Sequence, residues 1–180
     1  MKLYVMTGQI QTGKTTWLKG FLKEAANADV RIDGLITPAI FENGEKTGIE
    51  ARLLPQDENF LLAKKRYFDA VEGGSHNFKQ QVFDGKKKLG YDFSDDAMQR
   101  INEHFATCFG AHNFLVDEIG PLEMMQGKGY IEAMRLLDER AADNAIVVIR
   151  PSLLDAARKR WGEFETLTPE SSIEQLLERL

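Results

Sequence analysis

Gly8-Gln9-Ile10-Gln11-Thr12-Gly13-Lys14-Thr15 reads G-x-x-x-x-G-K-[ST], directly after the apolar run Leu3-Tyr4-Val5-Met6. The pattern carries meaning only between a strand and a helix, and both neighbours are present. Lys2–Met6 reads as a strand, and Thr15–Ala26 carries the periodicity of an amphipathic helix. The two glycines let the backbone wrap closely around an anion, so that loop N–H groups point inward at phosphates. The helix that starts near Lys14 adds the positive end of its dipole. Lys14 reaches the β- and γ-phosphates, the Thr15 hydroxyl suits Mg²⁺, and Thr16 extends the hydroxyl pair. Gly8 to Thr16 are therefore the predicted nucleotide-binding residues, and Thr15 is also a predicted metal ligand.

Working outward, Val30–Thr37 alternates and ends at Thr37-Pro38, which predicts a second strand. Ala39-Ile40-Phe41 and Thr47–Leu54 flank Glu42-Asn43-Gly44-Glu45, and Asn-Gly is a strong hairpin turn signal. Asn59–Phe68 and Asn77–Phe83 are candidate further strands, with turns at Gly73-Gly74 and Asp84-Gly85. Helical spacing returns over Ser94–Phe109, where Ala97, Met98, Ile101, Phe105 and Cys108 share one face. Strand Asn113–Val116, helix Tyr130–Ala142 and strand Ala145–Ile149 follow, then helix Leu153–Arg160, short strand Glu163–Thr166 and helix Glu170–Leu180. Strands alternating with helices at both ends predict an α/β fold: a mainly parallel sheet between two helical layers. Residues 38–92 form an antiparallel hairpin insertion that either extends one sheet edge or folds over the nucleotide. A chain of 180 residues suits one domain, 1–180.

Phe114-Leu115-Val116-Asp117-Glu118 is an apolar strand closing on two carboxylates. Roughly 100 residues after a phosphate loop, this is the expected Mg²⁺-side strand, with Asp117 holding the metal through water. Glu118 lies at the strand's carboxyl end, where a carboxylate can polarise a water for attack on the γ-phosphate. Lys14 and Glu118 are thus the predicted catalytic groups. By analogy across phosphate-loop proteins, a Glu directly after the metal-side Asp accompanies hydrolysis of the NTP itself. Arg150 ends the strand Ala145–Ile149 and is placed to sense the γ-phosphate or stack on the base; the alternative is a surface arginine beside Pro151. Arg52, Arg66 and Arg100 are weaker candidates.

Composition narrows the field. The net charge of −5, from 23 basic and 28 acidic residues, argues against a protein that coats nucleic acid. The runs Lys64-Lys65-Arg66, Lys86-Lys87-Lys88 and Arg158-Lys159-Arg160 read as solvated faces. No apolar run approaches the ~20 residues of a membrane span, and no signal peptide is visible. One cysteine, Cys108, excludes an intrachain disulfide and fits a reducing cytoplasm. His76, His104 and His112 lack zinc-ligand spacing. Trp17 and Cys108 read as core.

Asp117-Glu118-Ile119-Gly120-Pro121-Leu122-Glu123 resembles the D-E-I-G-[PK]-[ML]-E signature of a family of small nucleoside-triphosphatases, known from thermophiles and from a cancer-related human member. Gly34-Leu35-Ile36-Thr37, Gly44–Ile49 and Leu89-Gly90-Tyr91-Asp92-Phe93 are similar to weaker family elements, so the resemblance covers nearly the whole chain. It implies a P-loop NTPase fold and an Mg²⁺-dependent cytoplasmic enzyme that releases phosphate from ATP, GTP and other NTPs with loose base selectivity. Gly8 to Thr15 carry over as the phosphate cradle, Asp117 and Glu118 as metal ligand and water activator, and Glu123 as a brace for the loop. Met124-Met125 are expected to pack under that loop. The chain departs from the family at Thr37-Pro38, Lys46, Ile49 and the residues after Thr168, as a divergent branch would. Two other readings stay open: a small-molecule kinase whose insertion holds the acceptor, and a slow nucleotide-gated switch that binds a protein partner.

Overall fold

Side chains on a strand point alternately to opposite faces, so a sheet covered by helices on both sides needs apolar residues at successive positions. The computed structural model describes residues 1–9, 12–66 and 90–180. Its strands are β1 (Lys2–Met6), β2 (Asp33–Ile36), β3 (Ala39–Glu42), β4 (Glu45–Leu54), β5 (Glu58–Lys65), β6 (Tyr91–Phe93), β7 (Ala111–Ile119), β8 (Ala142–Ile149) and β9 (Glu165–Leu167). Its helices are α1 (Lys14–Asn27), α2 (Asp95–Thr107), α3 (Pro121–Gln126), α4 (Ile131–Asp138), α5 (Leu154–Trp161) and α6 (Ile173–Leu177).

The central strands meet the two-sided demand. Leu3 and Val5 of β1, Phe114 and Val116 of β7, and Ala145, Val147 and Ile149 of β8 face one apolar layer, completed by α2, α4 and α5. Tyr4 and Met6, Leu115, and Ile146 and Val148 face the other, completed by α1 and α6. Phe21, Leu18 and Trp17 anchor α1 there, with Trp17 stacked on Phe21 and its Nε1 donating to the Ser171 carbonyl at 2.8 Å. Among the described residues the strand order is β6-β5-β4-β2-β7-β8-β1-β9, with β3 on β4. The segment from β2 to β9 is parallel and the remainder antiparallel. This is the predicted three-layer α/β arrangement. No helix among the described residues is long and apolar enough to cross a membrane.

The insertion extends the sheet edge beside β2. β4 pairs antiparallel with β2 through Arg52–Leu54 and with β3 through Glu45–Ile49, so β2 and β3 form one line interrupted at Thr37-Pro38. Pro38 lacks an N–H, and its carbonyl accepts from Glu50. β3 and its partner residues on β4 therefore rise past the carboxyl edge of the parallel strands by about 13 Å. The predicted strand Asn77–Phe83, the turns at Gly73-Gly74 and Asp84-Gly85, Lys86-Lys87-Lys88, His76, Leu89 and the end of Asn59–Phe68 lie outside the described residues.

Several element ends differ from the sequence reading. β7 runs on through Ile119, carrying Asp117 and Glu118 within the strand. Helix Tyr130–Ala142 stops at Asp138 because Ala142 already belongs to β8. The last helix starts at Ile173, where Ser172 caps it by accepting from the Gln175 N–H. Ser94 does the same for α2 through the Ala97 N–H.

β2 approaches β7 closely at Gly34, whose φ of 130° is left-handed territory and where a Cβ would fall onto the Leu115 carbonyl. Gly34→Ala is therefore expected to destabilise the fold by more than about 2 kcal/mol, a melting drop of roughly 5 °C or more. An unchanged melting curve would contradict that strand contact.

Candidate functional site

Strand register sets the site. Met6 lies opposite Val148, and Ile149 lies opposite Ile119, so β1, β8 and β7 end at a common carboxyl edge. β8 separates the other two, which puts the loop after β1 and the carboxylates of β7 about 10 Å apart.

On the β1 side, Gly13 starts α1 with no side-chain cap, and the first helical turn carries no acidic residue. That leaves the first N–H groups of α1 available to an anion. Lys14 Nζ donates to the carbonyls of Gly8 and Gln9 at 2.8 and 2.7 Å, and the Thr12 hydroxyl donates to Gln9 O at 2.8 Å. The loop thus curls around its own lysine. Thr15 and Thr16 follow in the first turn of α1; Ile10 and Gln11 lie outside the described residues.

On the β7 side, the ladder to β8 slips between Val116 and Ile119. Two residues, Asp117 and Glu118, oppose Val148 alone, which is a β-bulge. Val116 and Ile119 consequently face the same apolar layer, and the two carboxylates escape strict alternation. The Asp117–Glu118 peptide bond is cis. Asp117 is buried, 5% exposed. Its Oδ2 accepts from the Thr37 N–H at 3.2 Å, and the Thr37 hydroxyl donates to the Asp117 carbonyl at 2.9 Å. Burial pushes the Asp117 carboxyl up to about 7; the Thr37 N–H and the Lys14 ammonium oppose this and the Glu118 charge adds to it.

Glu118 is held from the intervening strand. Arg150, just past β8, donates from Nε to Glu118 Oε1 at 2.6 Å, and its Nη2 makes an ion-pair contact with the same oxygen at 2.5 Å. The structure thus brings Arg150 to the ligand edge, but onto a carboxylate. Glu123, 6% exposed, accepts from the Gly120 N–H at 2.9 Å and the Tyr130 N–H at 3.3 Å. Burial raises its carboxyl, and those N–H groups lower it. Gly129 (φ 76°) packs against that carboxylate so closely that a Cβ would collide with it. Asn102 of α2 donates to Gly129 O at 2.9 Å and accepts from the Glu132 N–H at 3.1 Å, tying the loop to the helical layer. Met124 packs against the core as expected, but Met125 is 69% exposed, so it does not pack under the loop. α3 turns its opposite side inward, burying Glu123.

The other sequence candidates lie elsewhere. Arg52, Arg66 and Arg100 pair with Asp57, Asp92 and Glu58 in or beside the antiparallel strands. His112 pairs with Asp143 at the amino end of the sheet, and His104 Nε2 sits 3.0 Å from the Gly34 carbonyl. Cys108 is buried, and burial pushes its thiol up to about 12, which suits a core residue. Sequence assigned no site role to Thr37 or Asn102. Thr37 appeared only as the strand stop before Pro38 and as the end of a weak family element; Asn102 carried no signal.

Comparison with known proteins follows the same lines. The sequence profile of a family described as NTPase matches residues 3–171. No curated protein matches. The solution structure of a human cancer-related nucleoside triphosphatase superposes with a TM-score of 0.66 at 17% identity, covering 99% of this chain and 95% of that one. The crystal structure of THEP1 from the hyperthermophile Aquifex aeolicus gives 0.63 at 19% identity, covering 100% and 99%. At such identities the two structures share the fold.

Proposed function

Because the chain belongs to the NTPase family, we propose that it hydrolyses nucleoside triphosphates to the diphosphate and inorganic phosphate, with Mg²⁺ and with loose base selectivity. Residues 1–180 act in this reading as a single domain. The observation that carries it is the placement of Asp117 and Glu118 on one bulge, across β8 from the glycine-rich loop that follows β1. In this reading the loop N–H groups and Lys14 bind the phosphates. The donor set of Thr15 hydroxyl and Asp117 carboxylate is all oxygen and suits a hard cation that keeps most of its waters. Phosphate oxygens of the substrate would complete the shell. Mg²⁺ bound there would neutralise charge on the β- and γ-phosphate oxygens.

Glu118 orients the attacking water. The water oxygen bonds to the γ-phosphorus, its proton passes to Glu118 Oε2, and the bond from γ-phosphorus to the bridging oxygen breaks, releasing the diphosphate. Turnover is expected to be slow, roughly 10⁻⁴ to 10⁻¹ per second, as for phosphate-loop enzymes acting without a partner. Phosphate release from ATP, GTP, CTP and UTP tests the reading. Several NTPs should turn over without an acceptor, and chelation of Mg²⁺ should remove activity by about 10²-fold or more. Turnover only with an added acceptor would favour a kinase; tight binding with no release would favour a switch.

A further inference from the structure

We infer that Arg150 is a positioning residue that aims Glu118, and not a nucleotide ligand; the inference rests on the hydrolytic reading above. Two nitrogens of one guanidinium lie against Glu118 Oε1, Nε as a hydrogen-bond donor at 2.6 Å and Nη2 in ion-pair contact at 2.5 Å. A carboxylate gripped by one oxygen presents the other, Oε2, in a fixed direction. Such a grip has a purpose here. Glu118 lies on a bulge, where strand alternation no longer dictates which way a side chain points.

The arginine itself is preset. Pro151 follows it and confines it to extended backbone, observed at φ −69° and ψ 147°. Arg150 leaves β8, the strand between the loop and Glu118, one residue after Ile149, which is paired to Ile119. The pair is half-buried, with side chains 38% and 28% exposed, so water competes only in part. The Nε–Nη2 edge of the guanidinium is engaged on a carboxylate. Its effect on phosphate is then transmitted through the placement of the water that Glu118 holds.

A double-mutant cycle on phosphate release tests this, with Arg150→Ala, Glu118→Gln, the double variant and Arg150→Lys. Arg150→Ala is expected to lower kcat by about 10- to 100-fold, the range for misplaced catalytic groups. KM and the affinity for a non-hydrolysable NTP analogue should stay within about threefold. The double variant should be no slower than Glu118→Gln alone, because the side chain that Arg150 aims can no longer take the proton. Arg150→Lys, which keeps one donor, should fall between wild type and alanine. It also supplies the readout if the alanine variant folds poorly. If Arg150→Ala slows the Glu118→Gln enzyme by the same factor as wild type, or weakens analogue binding tenfold, Arg150 acts on the nucleotide and the inference is overturned. An unchanged kcat in Arg150→Ala overturns it too. Equal rates for wild type and Glu118→Gln overturn the hydrolytic role of Glu118 itself, and the inference with it.

Discussion

Glu118→Gln should cut kcat for phosphate release by about 10²- to 10⁴-fold while nucleotide affinity stays within a few fold. Glutamine has the same shape and keeps a carbonyl oxygen for the Arg150 Nε–H that now meets Oε1. The variant thus preserves the packing of the bulge. What it loses is the basicity that lets the side chain take a proton from water. In the proposed reading nucleotide affinity comes from other groups, the loop N–H groups and Lys14, which the substitution leaves in place. Single-turnover release together with analogue titration separates the two quantities. A parallel fall in affinity and rate would mean that Glu118 supports the fold of the site and not the chemistry.

Asp117→Asn should reduce activity by at least about 10²-fold and, in metal-free buffer, raise stability. The two effects share one cause. Asp117 is buried and its carboxyl is pushed from 3.8 up to about 7. Between those values the unfolded chain is ionised while the folded protein binds the proton, so wild-type stability falls as pH rises through that window. Asparagine keeps an oxygen for the Thr37 N–H and carries no charge to desolvate. Its advantage should be negligible below pH 4 and full above pH 7, on the order of 2–4 kcal/mol. For a chain of this length that is a melting gain of several degrees. Adding Mg²⁺ and an NTP analogue should narrow the gap, because ligand binding stabilises wild type preferentially. Melting curves at pH 5 and pH 8, with and without chelator, read this directly. A variant less stable than wild type at pH 8 without metal would contradict the account of the buried carboxylate.

What was legible in the sequence was local. Gly8 to Thr15 stands out because a phosphate-binding loop would work through backbone N–H groups and needs two glycines, a lysine and a hydroxyl at fixed spacing. The two-sided burial of β7 and β8 follows from unbroken apolar runs, Phe114–Val116 and Ala145–Ile149. What was not legible depends on register between strands far apart in the chain. The bulge at Asp117–Glu118 exists only relative to β8, since it takes three steps from Val116 to Ile119 against two from Val147 to Ile149. The grip of Arg150 on Glu118 likewise requires β8 to be the neighbour of β7, an order that no local pattern encodes. Thr37 reads as the end of a strand, and its contact with Asp117 emerges only when β2 lies beside β7. α3 escaped detection because six residues are too few to establish a helical period, although Gly120-Pro121 with Glu123 two residues on is a start signal. The exposure of Met125 follows from that helix, whose inward position goes to the carboxylate of Glu123.

The central claim is attack of water, placed by Glu118, on the γ-phosphorus. Turnover of an NTP in oxygen-18-labelled water, with Mg²⁺ and no acceptor, tests it most directly. The account predicts one labelled oxygen in each phosphate released, none in the nucleoside diphosphate, and loss of the labelled product in Glu118→Gln. Label in the diphosphate, or phosphate release undiminished in the variant, would contradict it.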